Sequence, residues 1–309
     1  MIPAANADEF IERLKNRINQ DPDHEMLVFI HGYNIPFAVA AQRTAQIHYD
    51  LGFQGAPAFF SWPSGGRLLH YLGDEASSEW AAAHLRDFLD LLAARSGATR
   101  IHLIAHSMGN RPLLSALAEI GRRDRAQSMC GDAPAPRIFS QVVMAAPDLD
   151  TDMFTQLKDA MQNAAERVTI YASRKDRAVI GSVFLHRFKR LGVPSPPPPA
   201  DPKIESIDAS NASTGFLGHS YYGSSILWDV KRVLAQPQER AIDRCTIRKP
   251  ESPSQYATFV RQIDPRQKPP GPILRAWLRI TRKRKPEPIE GECKIRLAAI
   301  SPPHVAASH

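Results

Sequence analysis

Cysteine is scarce. The chain of 309 residues holds three, Cys130, Cys245 and Cys293. Three widely spaced cysteines build no disulfide framework and match no zinc pattern, which fits a reducing compartment. Long apolar runs are missing too: no stretch reaches the roughly 18 residues of a membrane span. The N-terminus, Met1-Ile-Pro-Ala-Ala-Asn-Ala, has neither the basic head nor the apolar core of a secretory signal. The expected location is therefore the cytoplasm. Internal repeats are absent. His24-Glu25 lacks the second histidine of a zinc-protease helix. His102 and His106 are four apart on an apolar run, which on a strand separates them by about 13 Å. No metal and no cofactor is expected.

What is present is an ordinary globular composition, 43% hydrophobic, with a net charge of +7 and 26 prolines. The length suits one large domain or two modest ones. Apolar runs and amphipathic stretches alternate from residue 8 to about 235. Residues 8–19 read as a short helix, Met26 to Ile30 as a strand, Ile35 to Leu51 as a helix with Pro36 in its first turn. Ala58 to Trp62 reads as a strand. A helix from about Asp74 to Ala94 shows an apolar face that includes Ala76, Trp80, Leu85 and Leu92. Ile101 to Ala105 is a strand with a helix behind it, and residues 121–137 read as a loop. Phe139 to Ala146 and Val168 to Ala172 read as strands around a helix from Met153 to Ala165. A helix over 178–191, a strand from Ile204 to Ile207 and a last helix over 224–235 complete the pattern. Such alternation implies an α/β fold, a mostly parallel sheet with helices on both faces. Ligands gather at the carboxyl ends of such strands. His31-Gly32-Tyr33, Ser61 to Ser64, Ser107, Asp148, Asp176 and His219 all fall there.

The sharpest local signal is Ala105-His106-Ser107-Met108-Gly109 between strand and helix. Small residues flanking a serine permit a tight, strained turn that lifts the hydroxyl above the sheet. The helix behind it aims free N–H groups and a positive dipole end at the same place. The competing reading is that Ser107 only caps the helix. A serine nucleophile needs a base and a carboxylate to orient that base. Asp176 follows a strand end and His219 follows the last strand, so the order is Ser, acid, His. Asp148, after the preceding strand, is an alternative acid; with Asp150 it could equally cap the next helix.

With these residues in place, the chain over about 24–235 resembles the α/β-hydrolase superfamily. Val28 to Asn34, Phe60 to Ser64, Ile101 to Arg111, Ala145 to Asp150 and Gly218 to Tyr221 are similar to a mostly bacterial group of uncharacterised predicted serine esterases. The resemblance implies Ser107 as nucleophile, His219 as general base and Asp176, after the seventh strand of the full fold, as acid. It implies an oxyanion hole from the backbone N–H groups of Tyr33 and Met108. The expected activity is hydrolysis of a carboxylic ester or related acyl bond through an acyl-enzyme. The alternative is an inactive hydrolase-fold binding or scaffold protein.

Arg111 opposes the dipole of its own helix. It is expected to pair with Asp148 or Asp150, or else to meet an anionic substrate. Trp62, Tyr33 and Phe37 could line an acyl pocket or simply pack in the core. One helix fills the stretch from Asp150 to Val168, so no large lid domain is expected there, and the loop 187–218 is the candidate cover. The division is a hydrolase domain over 1–235 and a basic, proline-rich extension over 236–309. Within the extension Ile273 to Ile280 could be a short helix, and Thr281 to Lys285 is a basic run. A small acyl substrate is the expected partner. Basic runs can attract nucleic acid or anionic membrane, but no specific binding is expected of this one.

Overall fold

The computed structural model describes residues 6–64, 71–130, 138–186, 188–194, 201, 203–212, 224–236, 239, 244, 247–248 and 257–259. The expectations for His219, for residues 273–280 and for the basic run 281–285 lie outside them, as do parts of the 187–218 loop.

Among the described residues, eight strands form one sheet: β1 (Glu25–Ile30), β2 (Ala56–Phe60), β3 (Arg100–His106), β4 (Phe139–Ala145), β5 (Ala165–Ala172), β6 (Ile204–Asp208), β7 (Ile247–Arg248) and β8 (Ala257–Phe259). Their order is β2-β1-β3-β4-β5-β6-β8-β7, parallel throughout except where β7 meets β8. The helices are α1 (Ala7–Ile18), α2 (Phe37–Leu51), α3 (Tyr71–Arg95), α4 (Asn110–Met129), α5 (Thr151–Ala164), α6 (Arg177–His186) and α7 (Ser224–Ala235).

Strand side chains alternate between two cores. Met26, Val28 and Ile30 of β1 join Ile101, Leu103 and Ala105 of β3 beneath α1, α3, α4 and α5. Leu27, Phe29 and Ile104 face the other way, against Ile47 and Leu51 of α2, Val179 of α6 and Ile226, Val230 and Val233 of α7. The chain runs from β1 outward to β2, then returns past β1 to β3. Right-handed crossovers in opposite directions must use opposite faces, which puts α2 and α3 on different sides of the sheet. The carboxyl ends of β1 and β3 are thus the point where strand order reverses.

Several boundaries differ from the sequence reading. Helix α4 continues to Met129 through residues expected to be a loop. Its last part is exposed and polar, so no apolar periodicity marks it; Arg, Ala and Gln sustain it by propensity. Arg123 also forks onto Asp90 of α3 at 2.7 and 2.8 Å. Gly121 is a contact rather than a break: a Cβ there would sit 1.9 Å from the Ala160 carbonyl oxygen of α5. Helix α5 stops at Ala164 and β5 starts at the next residue. Helix α6 ends at His186, short of 191. Trp80, expected on the apolar face of α3, is 65% exposed. The sheet also continues past residue 235, through β7 and β8. Among the described residues no helix is long and apolar enough to cross a membrane.

Candidate active site

Strand β3 ends at His106, and Ser107–Gly109 form a single 3-10 turn that leads straight into α4. Ser107 has φ +53°, a left-handed conformation that L-residues other than glycine seldom adopt. It persists because the surroundings over-determine it. The Asn110 side-chain amide donates to the Ser107 carbonyl at 2.9 Å, and the Asp148 amide donates to the same oxygen at 3.2 Å. Gly109 fits because a Cβ there would meet the His31 carbonyl oxygen at 2.3 Å. Gly32 is equally constrained, since its Cβ would fall 2.8 Å from the Ser107 Cβ. The loop after β1 therefore lies directly on the serine turn. Ser107 is nearly buried, and Met108 wholly so.

His31 braces that loop. The Trp62 amide donates to its Nε2 at 3.2 Å, so Nε2 is an acceptor and Nδ1 carries the hydrogen, 2.9 Å from the Gly32 carbonyl. The Trp62 indole N–H donates to the His31 carbonyl at 2.8 Å, and the two rings stack with centroids 5.2 Å apart. Burial pushes the His31 pKa below the ordinary imidazole value. Trp62 is thus a core residue. Of the other two aromatics considered for an acyl pocket, Tyr33 is half-buried and Phe37 is 60% exposed against Phe59.

The two candidate acids are placed differently. Asp176 lies past the end of β5, fully buried, and its Oδ1 accepts the Ala178 and Val179 amides at 3.1 and 3.0 Å at the start of α6. Asp148 lies past β4, beyond Ala146, which has φ +47°. Its Oδ2 accepts the Tyr71 hydroxyl, and its Oδ1 accepts the Ser182 hydroxyl at 2.6 Å. Asp150 caps α5 through the Asp152 and Met153 amides.

Arg111 is buried, not solvent-facing. Its Nε donates to the Asp148 carbonyl at 2.8 Å, its Nη2 stands 3.9 Å from the Asp148 carboxylate, and its Nη1 pairs with Glu75 of α3. Burial works against the charge, but Asp148 and Glu75 outweigh it and raise the Arg111 pKa. Arg190 approaches the same carboxylate at 3.5 Å. Burial and the Asp148 charge push the Tyr71 phenol well above its usual range, so it stays a donor.

Of the residues singled out in the sequence, Gly32, Ser107, Gly109, Arg111 and Asp148 come together in one neighbourhood. Tyr71, Ser182, Arg190 and Asn110 join them without having been expected. Asn110 had a local signal, since it follows the serine turn directly. Among the described residues, no group of three or more His, Cys, Asp or Glu could hold a metal ion.

A family described as "Alpha/beta hydrolase of unknown function (DUF900)" matches residues 6–236. An uncharacterised protein of Nostoc sp. is 25% identical over 136 residues, 36% of this chain. The match spans 35% of that protein's length. Among solved structures, an esterase of Pyrococcus furiosus is 12% identical, with a TM-score of 0.41, covering 70% of this chain and 84% of its own. Esterase B of Lactobacillus rhamnosis is 12% identical, with a TM-score of 0.36, covering 72% and 85%.

Proposed function

The chain belongs to this family of α/β hydrolases, and on that premise we propose that it is a serine hydrolase cleaving a carboxylic ester or related acyl bond. The observation that carries the reading is Ser107 at φ +53°, at the carboxyl end of β3 beside the strand-order reversal, with Gly32 packed on it. A helix cap does not need that conformation; a nucleophile held on a tight turn does.

In this mechanism the Ser107 Oγ attacks the substrate carbonyl carbon as His219 takes its proton. The Tyr33 and Met108 N–H groups hold the oxyanion, and each is worth on the order of 3 kcal/mol to the transition state. Collapse expels the alcohol, which leaves with the proton from His219. Water then attacks the acyl-enzyme with His219 as base, releasing the acid and restoring Ser107. Asp176 orients His219. Its place past β5 supports that role, and the carboxylate oxygens of Asp148 are already engaged by Tyr71 and Ser182.

A fluorophosphonate probe is expected to label wild type at Ser107 and to leave Ser107→Ala unlabelled. A panel of p-nitrophenyl esters of rising chain length should be turned over by wild type only. An accessible wild-type protein that resists the probe and the whole panel would favour a binding or scaffold role instead.

A further inference from the structure

A buried polar knot stands behind the site, and the hydrolytic steps give it no part. Its centre is Tyr71, the first residue of α3. The hydroxyl donates to Asp148 Oδ2 and lies 2.9 Å from the Ser182 Oγ of α6, which itself donates to Asp148 Oδ1. The Tyr71 ring meets the Tyr33 ring nearly edge-on, with centroids 5.4 Å apart. Asp148 in turn touches the serine turn through its own amide, 3.2 Å from the Ser107 carbonyl. Arg111 closes the circuit by donating to the Asp148 carbonyl. The strap after α6 presses on the turn after β4: the Leu191 amide donates to the Leu149 carbonyl at 2.8 Å and the Gly192 amide to the Pro147 carbonyl at 2.9 Å.

We propose that Tyr71 is a positioning residue for the hydrolytic site, its hydroxyl fixing Asp148 against the nucleophile turn while its ring fixes Tyr33 in the oxyanion loop. The inference rests on the serine-hydrolase reading. One side chain then sets the spacing between the attacking oxygen and an oxyanion donor. Two observations single it out. The strained backbone at Ser107 and Ala146 must be held from outside, and Asp148 is where the holding contacts converge. Tyr71 also links the loop after β1 to the turn after β4 through one side chain, ring to Tyr33 and hydroxyl to Asp148. Asp148 is then a positioning residue as well, held by hydrogen bonds on both oxygens.

The test uses the full chain and three variants. Tyr71→Phe keeps the ring and drops the hydroxyl, Tyr71→Leu drops both, and Asp148→Asn weakens the acceptor. A misplacement of about 1 Å can reduce rate by about 100-fold. Tyr71→Phe is accordingly expected to lower kcat about 10-fold and Tyr71→Leu about 100-fold, with KM within about twofold of wild type. The acid limb of the kcat–pH profile should stay in place in all three, because the general base is untouched. Amide hydrogen exchange should rise at residues 30–34 and 107–111 and remain unchanged in the middle of β4. Wild-type kcat and exchange in Tyr71→Phe would overturn the proposal. So would a displaced acid limb in Asp148→Asn, which would make Asp148 the partner of the base. If Tyr71→Leu fails to fold, the phenylalanine variant decides. Absence of wild-type labelling by a fluorophosphonate would sink the hydrolase reading separately, and the exchange measurement would still judge the positioning claim.

Discussion

Ser107 bears the clearest backbone strain at the scale of one residue. A left-handed backbone at a residue with a Cβ costs roughly 1–2 kcal/mol, and glycine escapes that penalty. Ser107→Gly is therefore expected to be more stable than Ser107→Ala by about 1 kcal/mol in urea unfolding, although both lose labelling. Equal midpoints would show that the turn relaxes once the hydroxyl is gone. His31 gives a second residue-scale expectation. Its ring must be neutral to accept the Trp62 amide, and burial depresses its pKa from 6.5. In the unfolded chain the ring protonates first as pH falls. Its contribution is thus fully present above pH 6.5 and is lost progressively below it, through the folded-state pKa. Urea midpoints between pH 7.5 and 5 should fall more steeply in wild type than in His31→Gln. The serine turn was legible because the residues that mark it, Ala105 to Gly109, are five in a row. Tyr71 was not, because its partner Asp148 is 77 positions away and a tyrosine at a helix start has no local signature.

At the scale of elements, the strand–turn–helix unit and its alternation with neighbours were readable from apolar periodicity. What escaped was any element whose stability is not apolar. The end of α4 is exposed and held by charge pairs to α3, so periodicity ends before the helix does. Gly121 misled in the same place. A glycine in a polar stretch reads as a break, but here it lets α4 approach α5. Gly121→Ala places a Cβ against backbone that cannot swing aside. It is expected to destabilise by about 1–3 kcal/mol, measured by urea unfolding, despite the better helix propensity of alanine. A stabilised variant would mean that the two helices can part without loss. Trp80 taught the opposite lesson: it has helical spacing and apolar character, yet faces outward.

On the scale of the whole molecule, the family match ends at 236 while the sheet goes on to β7 and β8. Arg244 ties this later segment down. It is almost fully buried, with Nε 2.8 Å from the Asp229 carboxylate of α7 and Nη1 3.3 Å from Glu205 of β6. The Tyr171 hydroxyl donates to the same Asp229 at 2.6 Å. Removing one member of such a pair strands a buried charge, at about 3–5 kcal/mol. Arg244→Met should lose about that much stability, and adding Asp229→Asn should restore part of it in a double-mutant cycle. Strict additivity of the two changes would deny the coupling. A chain cut after residue 236 is expected to melt earlier than the full chain for the same reason. None of this was readable, because the arginine sits in a polar, proline-rich stretch whose composition resembles a solvated tail.

The reversal of strand order at the carboxyl ends of β1 and β3 is a matter of connectivity. Helices α2 and α3 diverge to opposite faces there whatever side chains the loops carry. On the proposed reading, Ser107→Ala disarms the molecule but leaves this backbone frame standing, and such a copy is expected to serve as bait, holding intact the ester that wild type would cut.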